Sequence, residues 1–146
     1  MLLLGTKNFT SQEVVENGIV NLGAVYRKYC KRINGTRTFD FDGNNVILQQ
    51  SGIYHVTVTA VASGSEAGDI TLSLFENGVS VPGIFSTQTI TTSDTELRTL
   101  TIDYFVLVDS ACVLGNSAVV SKAITLVNTG VAATYSNIVV NVEKVM

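Results

Sequence analysis

Between Gly52 and Gly78 apolar residues fall at every second position through two consecutive runs, Gly-Ile-Tyr-His-Val-Thr-Val-Thr-Ala-Val-Ala-Ser and then Gly-Asp-Ile-Thr-Leu-Ser-Leu-Phe-Glu-Asn-Gly. A period of two belongs to extended chain with one buried and one wetter face, so this stretch must form sheet. Tyr54, Val56, Val58, Ala60 and Ala62 share one side of the first run, against His55, Thr57, Thr59 and Val61. Ile70, Leu72 and Leu74 make the stripe of the second. Asn77-Gly78 reads as a hairpin turn, because Asn and Gly accept positive φ most readily.

The same logic extends in both directions. Gly18 to Tyr29 reads as one strand with Val20, Leu22, Ala24 and Tyr26 facing the core. Asn34-Gly35 is a turn, Thr38 to Phe41 a short strand, Asp42-Gly43 another turn, and Val46 to Gln49 a further strand. Pro82, the sole proline, removes a ladder donor and places its strand at an edge or a bulge. Thr87 to Thr95 is a polar loop or exposed strand. Glu96 to Asp109 is the longest strand, with Leu100, Ile102, Tyr104, Val106 and Val108 on one face. Its other face, from Leu97 to Leu107, turns apolar only late. Ala118 to Asn128 and Tyr135 to Val145 close the chain. Met1 to Val15 shows no alternation and reads as an N-terminal arm with at most one helical turn at Thr10-Ser11-Gln12-Glu13.

These segments predict a single all-β domain over residues 16–146, a two-sheet antiparallel jelly-roll sandwich of about eight to ten strands. The 48 Val, Ile and Thr residues agree, since β-branched side chains suit a pleated surface. An immunoglobulin-like sandwich is the competing architecture, but the chain has no Trp to sit between bridged cysteines. Charged residues are only 14 % of the chain, while Ser, Thr and Asn together number 40. A polar but weakly ionised surface can be covered by another subunit without stranding ions, which favours an oligomer.

Net charge is −3, and no run of Lys or Arg is interleaved with aromatics, so nucleic acid is not an expected partner. The local exception, Arg27, Lys28, Lys31, Arg32 and Arg37, reads as a solvated strand edge that discourages edge-to-edge pairing. No stretch approaches the roughly 20 apolar residues of a membrane span, and Met-Leu-Leu-Leu-Gly-Thr-Lys is too short for a signal peptide. Synthesis in a cytosol, with no membrane partner and no secretion route, is the expectation. Cys30 and Cys112 belong to no ligand pattern and read as small buried hydrophobes.

Glu16-Asn17-Gly18-Ile19-Val20-Asn21-Leu22-Gly23, Phe39-Asp40-Phe41 with Val46-Ile47-Leu48, and Ser51-Gly52-Ile53-Tyr54-His55-Val56 resemble the jelly roll of the tumour-necrosis-factor and complement type. In that family a Gly-x-Tyr opens a central strand, and a later strand pair meets an Asn-Gly before a Val-rich strand, as Leu72 to Val79 does here. The pattern from Glu16 to Val145, including the terminal Ile138 to Val145, is similar to small proteins of bacteriophages and prophages, some of them head fibres, capsid decorations or fibre tips. The resemblance implies a homotrimer whose axis is lined by aromatic and aliphatic side chains. Tyr54, Tyr104 and Phe105 are the trimer-interface or core candidates. The arm Met1 to Val15 departs from the family.

No reaction centre assembles from the sequence. His55 is the only histidine, and nothing in the sequence places a carboxylate and a nucleophile beside it. Asp40-Phe41-Asp42-Gly43-Asn44-Asn45 is rich in oxygen donors but lacks the Glu and the flanking helices of an EF-hand, so it reads as a side-chain-closed turn. Ser63 to Gly68 is a connector, without the Gly-Lys-Ser/Thr of a phosphate loop. The expected function is that of a non-enzymatic virion structural protein, a homotrimeric head-fibre or capsid-decoration component contacting other virion proteins, with no cofactor, metal or catalytic residue. The alternative is a receptor-binding fibre tip that recognises a host surface glycan.

Overall fold

The computed structural model describes residues 1–33, 35–93, 95–109 and 121–146. Asn34 of the expected turn, Cys112, and the start of the expected strand Ala118–Asn128 lie outside the described residues. Two antiparallel sheets face each other. One runs in the order β12 (Arg98–Val108), β9 (Gly52–Gly64), β14 (Ala133–Lys144), β1 (Leu2–Asn8) and β4 (Ala24–Lys28), with β2 (Gln12–Val14) also on β14. The other runs β11 (Val79–Ile90), β10 (Gly68–Glu76), β13 (Lys122–Asn128), β8 (Asn45–Leu48) and β7 (Phe39–Phe41), with β3 (Gly18–Ile19) on β13. A small hairpin, β5 (Arg32–Ile33) and β6 (Thr36–Arg37), stands apart. The described residues form no helix.

The alternation reads true where strands are long. Tyr54, Val56, Val58, Ala60 and Ala62 of β9, Ile70, Leu72 and Leu74 of β10, Leu100, Ile102, Val106 and Val108 of β12, and Ile138, Val140 and Val142 of β14 all point into one core. Asn77 and Gly78 both have positive φ, 50° and 79°, the geometry of a type I′ hairpin turn. Pro82 sits in β11, an outer strand whose ladder with β10 carries a bulge opposite it. Edge position and bulge both spare it the missing donor.

Two expectations are corrected. Met1–Val15 is not an arm outside the domain. Its β1 lies inside a sheet, pairing from Leu2 against Glu143 to Asn8 against Ile138 on one side and from Leu4 against Lys28 to Lys7 against Ala24 on the other. Leu3, Leu4 and Thr6 are buried. Bulges in both ladders insert unpaired residues and break the alternation that would have marked the strand.

Gly18–Tyr29 is likewise not one strand. Val20 and Leu22 are buried, but Ala24 and Tyr26 are exposed. The chain leaves one sheet for the other at Gly23, whose φ of 81° restarts the parity. A side chain there would place Cβ 2.2 Å from the Lys7 carbonyl oxygen. Gly23→Ala is therefore expected to cost at least about 1–2 kcal/mol, from the left-handed backbone alone. Urea denaturation checks this, and an unchanged midpoint would contradict the crossing as described.

The interior holds two phenols. Tyr54 is wholly buried and donates to the Gln50 carbonyl at 2.6 Å; Tyr135 is wholly buried and donates to Asn128 Oδ1 at 3.0 Å. Burial pushes Tyr54 up to about 12 and raises Tyr135 further still. Both folded values lie above the ordinary one, so the stability these neutral phenols carry is whole below about pH 10 and is lost as pH climbs towards the folded values. The expected slope is about 1.4 kcal/mol per pH unit for each tyrosine. Urea melts at rising alkaline pH should show it, with a shallower fall in Tyr54→Phe; equal slopes in the two proteins would remove Tyr54 from the account.

Candidate interaction surfaces

The three residues singled out by sequence do not form one site. Tyr54 fills the interior. Tyr104 and Phe105 are neighbours on β12 and so face opposite ways. Tyr104 turns inward, half-buried against the core, and burial followed by the nearby Glu76 carboxylate pushes its phenol up. Phe105 points outward and is 55 % exposed. Of the three, only Phe105 is exposed on the surface.

Around Phe105 the register of β9 and β12 assembles a group that the sequence reading missed. Phe105 lies opposite His55, and Asp103 opposite Thr57, so His55 and Asp103 are diagonal neighbours on one face. The His55 and Phe105 rings stack with centroids 4.5 Å apart and planes 11° apart. His55 Nε2 meets Asp103 Oδ1 at 2.5 Å. Asp103 orients the imidazole as it would in an acid–base unit. Yet Asp103 is 69 % exposed on an open sheet face, and no hydroxyl or thiol among the described residues hydrogen-bonds the ring. The arrangement is suited to holding an aromatic platform in place. No local signal could have revealed it, because 48 positions separate the two residues.

Further along this face the side chains become neutral. Across β12, β9 and β14 the rows Thr101, Thr59, Val139 and Thr99, Val61, Asn137 carry no formal charge. Leu107 adds another exposed apolar side chain beyond Phe105. Towards β4, Tyr26 lies flat over Gly5, where any Cβ would come within 2.4 Å of the ring. Its hydroxyl donates to Asn141 Oδ1, and the Lys7 ammonium stands 4.5 Å from the ring centroid. Tyr26 therefore levels the outer face through a cation–π contact and a cross-strand hydrogen bond.

On the outside of the other sheet, Ile19, Ile47, Phe75 and Val127 line a cavity of about 460 Å³ edged by Asn17, Asn45 and Asn77. Two of these amides are already engaged. Asn45 donates to Asp42 Oδ2 at 3.0 Å and accepts from the Thr125 hydroxyl, and Asn77 Oδ1 accepts from the Ala123 amide at 2.8 Å. Asp42 itself closes the Asp42-Gly43 turn, accepting from the amides of Asn44 and Asn45 at 2.9 and 2.6 Å. These bonds, the Asn45 side chain foremost, lower its pKa. Its oxygens serve the turn rather than a cation. Among the described residues no three His, Cys, Asp or Glu side chains gather as a metal site. Cys30 is half-buried, with its thiol 3.6 Å from the Phe39 carbonyl.

By sequence, no family model and no curated protein matches the chain. Solved structures do match its fold. The globular domain of zebrafish complement 1qA aligns over 100 % of this chain and 98 % of its own, with a TM-score of 0.60 and 11 % identity. The Eiger TNF of S. frugiperda aligns over 99 % and 93 %, with a TM-score of 0.61 and 11 % identity. The PRD1 vertex protein P5 covers 96 % and 95 % at 15 % identity, but its TM-score of 0.48 is too loose to argue from. The fold is a jelly roll of the tumour-necrosis-factor and complement type, and identities this low speak to fold alone.

Proposed function

We propose that the protein is a non-enzymatic structural part of a phage particle, a homotrimer whose subunits pack through the outer face of the β12–β9–β14–β1–β4 sheet. The neutral rows centred on Thr59 and Val139, with Phe105 and Leu107 on the far side of the Asp103 row, carry this reading. The two rows themselves can be covered without desolvating an ion, and the charges beside them are already engaged, Asp103 by His55 and Lys7 over the Tyr26 ring, whereas covering unpaired charges would cost several kcal/mol per ion. The imidazole–Phe105 stack and the Tyr26 platform give the face rigid aromatic surface at little entropic cost.

The phage setting, as a head fibre or capsid decoration touching other virion proteins, is supported by the motif resemblance running from Glu16 to Val145. A glycan-reading fibre tip would use the Phe75 cavity, but the amides of Asn45 and Asn77 that would read sugar hydroxyls are spent within the chain. It stands second for that reason.

Light scattering at micromolar concentration is expected to return about three times the 15.6 kDa chain mass. A monomer would reject the trimer. The role has its own check: the gene should lie among capsid or tail genes, and a neighbourhood of metabolic genes would reject the virion assignment while leaving the trimer standing.

A further inference from the structure

We infer that the cleft between β4, the β5–β6 hairpin and β7 is an oxyanion site, shaped to take the phosphate or sulfate group of a partner molecule. Between Asn17 and Phe39 the chain carries five of its nine cationic side chains and no acidic one, in a protein of net charge −3. The fold concentrates them further. Arg32 and Arg37 are direct cross-strand partners, so their side chains leave the hairpin on one side. With Lys28 they wall a cleft of about 360 Å³ backed by Phe39 and Phe41.

Like charges set opposite each other in a ladder repel. Among the described residues no carboxylate pairs with Arg32, Arg37 or Lys28. Asp40 is the one acid on the cleft, and one of its oxygens is held by the Phe41 amide at 3.0 Å. Two planar guanidiniums and an ammonium around one space match the bidentate acceptor pattern of a tetrahedral oxyanion better than that of chloride.

The hairpin is also anchored from beneath by buried polar side chains. Gln50, 7 % exposed, donates to the carbonyls of Lys31 and Thr36 at 2.8 and 2.9 Å. Thr38, 2 % exposed, donates to the Lys31 carbonyl at 2.7 Å and accepts from the Lys31 amide at 3.2 Å. A solvated edge that merely discourages aggregation needs no such anchorage. Holding the two guanidiniums in register does, since preorganised donors lose less entropy on binding.

The test is an amide NMR titration of the full chain with inorganic phosphate, inorganic sulfate and sodium chloride at matched ionic strength. Phosphate or sulfate should shift the amides of Lys28, Arg32 and Arg37 with a Kd of about 1–10 mM. The tighter of the two then indicates which ester the partner carries. R32Q/R37Q should weaken binding at least about tenfold and K144Q should not. R37E should abolish binding while raising Tm, because it turns a repelling pair into an attracting one. Equal shifts with chloride, shifts spread over the surface, or undiminished binding by R32Q/R37Q would each overturn the site.

Discussion

Asn128→Ala should unfold this domain more readily than any other truncation of a single polar side chain. Asn128 is wholly buried, and its amide donates to the carbonyls of Val14 and Val131 at 3.1 and 3.0 Å while its oxygen accepts the Tyr135 hydroxyl at 3.0 Å. One side chain thus ties the end of β2 and the turn after β13 to the body of β14. Alanine strands the buried Tyr135 hydroxyl and Val14 carbonyl together with the half-buried Val131 carbonyl. At about 1–3 kcal/mol for each unsatisfied group, partly relieved by local relaxation, the expected loss is about 3–5 kcal/mol. Tyr135→Phe removes one bond only and should cost about 1 kcal/mol. Asn128→Asp should be worse than alanine, since it turns a carboxylate towards two carbonyl oxygens. Urea denaturation of the three variants tests the ranking, and an Asn128→Ala midpoint matching the wild type would show that water replaces the amide without loss.

Thr59→Lys should reduce the proposed trimer to the mass of one chain while the far-ultraviolet circular dichroism stays unchanged. Thr59 is exposed in the single subunit and sits mid-way across the neutral rows, so the lysine strains nothing within the chain. In a trimer joined by this face it would bring three ammonium groups into a desolvated space, at several kcal/mol per ion. Thr87→Lys, on the outer face of the other sheet, is the control and should leave the trimer whole. If Thr87→Lys separates the subunits and Thr59→Lys does not, the interface has been assigned to the wrong face.

Much of the fold was legible beforehand, and the successes share a cause. In β9, β10, β12 and β14 one face meets the core for most of the strand's length, so burial writes itself directly into the alternation. Pro82 and Asn77-Gly78 announce an edge and a turn through their own covalent geometry. The failures also share one. At Leu2–Leu4 and at Gly23 the parity is reset by a bulge and by a positive φ, and a reset pattern looks like no pattern. The candidate surface was only half visible. That Tyr104 and Phe105 diverge follows from strand geometry, but the joining of Phe105 to His55 and of His55 to Asp103 depends on which residue of β9 meets which of β12.

What the sequence determined by itself is local: extended chain, the buried side of each long strand, the places where it turns, and a stretch of cations without acids. These follow from interactions within a few residues, where covalent geometry and solvation act directly. The tertiary structure alone decided that β1 is threaded between β14 and β4, that Tyr26 lies over Gly5, that Gln50 holds up the cationic hairpin, and that neutral rows align across three strands. Each of these joins residues far apart along the chain. Their pairing is chosen by the free energy of the whole sandwich, which no window of neighbouring residues contains.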